Sequence, residues 1–155
     1  MANVHVDLTA KGGVEQIAAI TRRNVAQVMQ LATVEFYRQV IISTPVDTGR
    51  ARNGWNITIQ APSPTVPPEG KYSMPNIEEH GLSTIISVTP EQVIYITNRV
   101  PYIENLNKGS SRQAPARFAE LAAGRVQRGI KAIARSGGRG FTQGNYMRYK
   151  SKTKF

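Results

Sequence analysis

The densest cluster of reactive side chains lies in TPVDTGRARNGW, Thr44 to Trp55, where Pro45, Asp47, Thr48, Gly49, Arg50 and Arg52 crowd together. A carboxylate beside two guanidiniums could cradle a phosphate, hold a polar substrate, or simply turn the chain. A phosphate loop of the Walker type needs a glycine series and a GK[ST] that ends a strand and opens a helix. No such series occurs here, and the stretch follows a helical pattern instead. The turn reading is therefore preferred. Asp47 is placed to bond the backbone near Gly49, and Gly49 is the residue able to take a positive φ without steric cost.

Other combinations offer little chemistry. There is no cysteine, hence no disulfide and no thiolate. The two histidines, His5 and His80, are far apart in sequence, and Glu78-Glu79-His80 lies in a proline-rich loop, not on a helix where a spaced pair could grip a metal. No serine stands in a G-x-S-x-G elbow. Asp47 has no recognisable base or nucleophile paired with it. The expectation is no enzyme, no metal and no cofactor.

Charge is distributed unevenly. Residues 1–104 carry eight Lys/Arg against nine acids, whereas residues 105–155 carry twelve Lys/Arg against Glu120 alone. This asymmetry predicts a polyanionic partner, either nucleic acid or an acidic protein surface. Its far end interleaves cations with aromatics: Arg139, Phe141, Tyr146, Arg148, Tyr149, Lys150, Lys152 and Lys154. Such a mixture suits single-stranded nucleic acid by stacking plus charge. It suits equally a tail that orders on a protein neighbour with its aromatics as anchors.

The elements that must position these residues follow from periodicity. Residues 13–42 predict one long helix, with Val28, Ala32 and Phe36 on one stripe and Leu31, Val34 and Ile41 on a second. It would run roughly 45 Å, long for its domain, and Pro45 ends it. WNITIQ (55–60) alternates as a half-buried strand. Residues 61–81 hold five of the nine prolines and read as a binding loop or a stiff mobile arm that reaches toward a neighbour. LSTIISV (82–88) and QVIYITN (92–98) predict a hairpin. Pro101 starts and Gly109 ends a short helical turn. Residues 116–134 predict a last helix buried through Phe118, Leu121, Ala122 and Val126. The whole is an α+β domain over 1–135: a long N-terminal helix on a small, mostly antiparallel sheet, a C-terminal helix, and a basic extended tail over 136–155. No apolar run approaches the ~20 residues of a membrane span, and MANVHVDLTAKGG lacks the pattern of a signal peptide. Synthesis in the cytoplasm and no membrane partner are expected.

Two segments together resemble a known family. TPVDTGRARNGW after a long helix resembles the turn of the tail-completion and neck proteins of long-tailed phages. NRVPYIENLNKGSSRQAPARF resembles the second signature of the same group, that of minor tail protein Z-like members, through Asn98, Tyr102, Gly109, Ser110, Ser111, Gln113, Ala114 and Pro115. Asn107 stands where an acid is usual. The resemblance covers roughly residues 14–130. It implies a structural virion protein that forms a homo-oligomeric ring, usually a hexamer, at the head–tail junction. Its partners would be the head connector or adaptor and the tail-terminator or tail-tube proteins, with genomic DNA passing through the channel. The alternative from composition alone is a nucleic-acid-binding protein that uses the basic last third.

Overall fold

The structure, a computed structural model, describes residues 4–8, 25–76, 83 and 87–135. Its elements are β1 (Val4–Leu8), α1 (Val25–Ser43), α2 (Arg50–Asn53), β2 (Trp55–Ile59), β3 (Ile94–Asn98), α3 (Ile103–Asn105), a wide π turn (Leu106–Ser110) and α4 (Phe118–Arg135). This is the α+β arrangement that the periodicity predicts.

One antiparallel sheet of order β1-β3-β2 organises the core. The late strand β3 lies in its centre, with Ile96 opposite both Val6 and Ile57. Side chains alternate across a strand, so Ile94, Ile96 and Asn98 share one face of β3 with their partners Trp55 and Ile57. All five are buried. They meet α1, whose Val28, Phe36, Val40 and Ile41 are fully buried, and α4 closes over α1 with Phe118, Ala119, Ala122 and Val126. α1 also buries Met29, Thr33 and Tyr37, so it is covered on more than the two predicted stripes. A helix apolar on most sides belongs inside a fold.

Three sequence expectations change. The predicted 82–98 hairpin does not form: both edges of β3 are taken by β1 and β2, Ser83 is helical and Ser87 sits in a turn. The partner β1, absent from the sequence reading, comes from the chain start. Leu121 is 43% exposed, because Phe118, Ala122 and Val126 define the buried side of α4 and Leu121 falls outside it. The proline-rich segment does not leave the domain over its described part. Pro67 and Pro68 bring carbonyls without a competing N–H of their own, and these accept from Arg50 Nε (2.9 Å) and Tyr72 Oη (2.9 Å). Residues 13–24, 77–82 and 84–86, and the basic tail 136–155 with Arg139, Phe141, Tyr146, Arg148, Tyr149, Lys150, Lys152 and Lys154, lie outside the described residues.

Candidate functional site

The turn after α1 is built by four side chains, those of Tyr37, Thr44, Arg52 and Trp55. Thr44 donates its hydroxyl to Val40 O (2.7 Å) and accepts from Trp55 Nε1 (2.8 Å), which pins the helix end to the start of β2. Arg52 reaches back along the same end. Its Nε donates to Thr44 O (3.1 Å) and its Nη2 to Ile42 O (3.4 Å). A cation at a helix C-terminus satisfies free carbonyls and opposes the negative end of the dipole. Burial of this guanidinium pulls its pKa below the ordinary value. Tyr37 Oη donates to Trp55 O (3.1 Å) from a site so enclosed that burial lifts its pKa to about 12.

Gly49 then adopts φ 81°, in the left-handed region, as the sequence predicts. A Cβ there would collide with the carbonyl of Tyr72. Tyr72 N–H in turn donates to Thr48 O (2.7 Å), and Asn53 Nδ2 bridges Gly49 O (3.0 Å) and Ser73 O (2.9 Å). The proline-rich segment is thus sewn onto the turn. The side-chain bond expected from Asp47 is made instead by Thr48, whose Oγ1 accepts from Arg50 N–H at 3.4 Å, while Asp47 stays exposed. Arg50 lies 3.6 Å from Glu69, whose side chain is 92% exposed, so this pair contributes little to stability.

The second segment folds against the first. Gln113 reads the backbone of Val46 with both ends of its amide: Val46 N–H donates to Oε1 and Nε2 donates to Val46 O, each at 2.8 Å. Asn98 is fully buried, donates Nδ2 to Ala51 O (2.7 Å) and accepts from Val100 N–H (3.1 Å). Gly109 takes φ 96° where the π turn reverses. Asn107 caps α4: its Oδ1 accepts from Ala119 N–H (3.1 Å) while its Nδ2 donates to Glu120 Oε2 (2.9 Å). An acid could do the first but not the second.

Pro45, Asp47, Thr48, Gly49, Arg50, Tyr102 and Gln113 therefore line one groove of about 680 Å³, together with Glu69, Lys71, Leu106 and Ser111. Pro115 lies outside it, in a neighbouring pocket of about 120 Å³ beside Leu121 and Arg125. Asn98 supports the groove through its bond to Ala51 O, and Gly109 is not part of the lining. Tyr72 is the participant that sequence reasoning missed, and the contacts of Arg52 and Asn107 were not foreseen either. Their roles consist of bonds to distant backbone, and only the charge of Arg52 within the turn hints at one. The groove is lined by both polar and apolar groups, Asp47, Arg50, Glu69 and Lys71 among the first and Pro45 and Leu106 among the second. Among the described residues no group of three His, Asp or Glu could hold a metal. The chain matches no family model, no curated protein and no solved structure, so the groove is interpreted from its own geometry and from the two segments that build it.

Proposed function

We propose that this chain is a structural subunit of a phage virion, a tail-completion or neck protein whose copies close into a ring, six in the usual case, where the tail meets the head. It would be made in the host cytoplasm and assembled between the head connector and the tail-terminator or tail-tube proteins. It would carry out no reaction. The resemblance of the two segments motivates the reading. The observation that carries it is their convergence. Val46 and Gln113, 67 residues apart, are locked by a reciprocal pair of hydrogen bonds, so both segments present one continuous groove. Their side chains are spent on backbone carbonyls and amides, as a rigid docking surface requires. A subunit whose groove differs from the surface that fills it makes head-to-tail contacts, and these form a ring where the rotation between copies closes. Cryo-electron microscopy of intact particles tests this: a closed ring of this chain at the junction is expected. A single copy, or absence from the particle, overturns it.

A further inference from the structure

The proline-rich segment carries a second surface, beside the groove but outside its lining. Pro62, Pro64, Pro67 and Pro68 each fix their own φ, and Ala61, Ser63, Val66 and Pro67 each precede a proline, which keeps them extended. Within 61–68 only Thr65 escapes both restraints, and its N–H is held by Ser63 Oγ (3.2 Å). Ser63 is buried and Pro67 O is held by Arg50, so the run is fastened at two points. Between them Pro64, Thr65 and Val66 form an exposed crest, with Val66 39% exposed. The crest has no charge. Among the described residues nothing donates to the carbonyls of Pro64, Thr65 and Val66. Pro64 has no N–H and that of Thr65 is used, so the crest offers mainly acceptors.

We propose that this crest seats in the groove of a second copy of the chain, against Tyr102. This rests on the proposed reading of the groove as a contact between copies, and names the segment that fills it. Tyr102, 37% exposed, is the only exposed aromatic side chain among the described residues, and it lines the groove with Pro45 and Leu106. Grooves with aromatic walls receive proline-rich extended chains, because such a chain is stiff before it binds and loses little entropy on docking. The polar groups match as well. Tyr102 Oη and Lys71 Nζ are donors on the groove with no partner among the described residues, and the crest supplies carbonyls. The crest does not fill its own groove. Pro67 O is tied to Arg50 and Pro68 O to Tyr72, and Glu69, Gly70 and Lys71, directly after them, form the groove's wall. It is therefore presented outward, to another copy.

The chain has no cysteine, so disulfides form only between introduced thiols. Full-length Val66→Cys and Tyr102→Cys are mixed and oxidised with copper phenanthroline, and the products are resolved by mass spectrometry. Both positions are exposed, so both variants should melt as the parent does. The heterodisulfide should form several-fold faster than either homodisulfide. It should also outpace by several-fold the heterodisulfide of Leu121→Cys with Tyr102→Cys, although Leu121 is similarly exposed at 43%. Adding Pro64→Gly to the Val66→Cys chain should slow the reaction several-fold, because a loosened crest must be ordered on docking. Products in statistical proportion overturn the proposal and assign the crest to a groove on another protein. An unchanged rate with Pro64→Gly overturns the part played by stiffness. Ring formation is read separately, in particles. A favoured heterodisulfide without a ring supports this contact and overturns the ring, and a ring without the favoured heterodisulfide does the reverse.

Discussion

Gly49 is constrained twice, by its own φ of 81° and by the carbonyl of Tyr72 stacked where a side chain would begin. Asp47, two residues away, is exposed. Gly49→Val should therefore cost at least the roughly 1–3 kcal/mol of a strained backbone and also unseat the proline-rich segment, whereas Asp47→Ala should change stability by less than about 0.5 kcal/mol. Equal melting temperatures for the two variants would contradict this. Thr97 supplies the opposite case. It is 5% exposed and, among the described residues, its hydroxyl has no hydrogen-bond partner. A buried, unsatisfied hydroxyl is destabilising, so Thr97→Val, which keeps the shape, should raise the melting temperature. A fall would mean that the hydroxyl has a partner. Asn107→Asp should destabilise by about 1–3 kcal/mol, because the donor to Glu120 Oε2 is replaced by a like charge. Protonating both acids at low pH should narrow the gap.

At the scale of elements, the join between α1 and β2 depends on Tyr37, Thr44, Arg52 and Trp55. Tyr37 makes it sensitive to alkali. Its folded pKa of about 12 lies above the ordinary 10, so folding benefits fully below pH 10. From pH 10 to 12 the unfolded chain gives up the phenol proton first. Stability should fall across that window by on the order of 2 kcal/mol. Tyr37→Phe should flatten this alkaline limb in urea titrations at successive pH values, and an unchanged limb would assign it elsewhere. This join also shows what a sequence discloses. Pro45 and Gly49 announce the turn locally, Pro45 by fixing φ and Gly49 by allowing a positive one, and 55–59 announces a strand because its alternation is local. The clamp by Arg52, the cap by Asn107 and the amide grip of Gln113 are bonds to distant backbone, which no spacing encodes. The hairpin expectation fails for a related reason. Neighbouring runs usually pair, but here β3 finds its partners at residues 4–8 and 55–59. The groove was legible as two motifs and not as one surface.

For the whole molecule, the described domain closes its core without residues 136–155: β3, α1 and α4 already bury one another. Deleting 136–155 should leave the melting temperature nearly unchanged, yet weaken head–tail joining if the tail orders against an adjacent ring, the partner we favour for it. A large loss of stability would make the tail part of the core.

The order β1-β3-β2 also governs how the chain can be born. Val4 and Asn98 are sheet partners, and the central strand is the last of the three to leave the ribosome. At 5–20 residues per second, β1 waits roughly 5–20 s for it. During that interval the apolar α1 is complete but has no sheet to cover it. Slower elongation before residue 94 should therefore lengthen the period in which the nascent chain needs a holding chaperone, and raise the fraction that aggregates. Circular permutation placing β1 after β3 should shorten that wait while leaving the finished sheet the same.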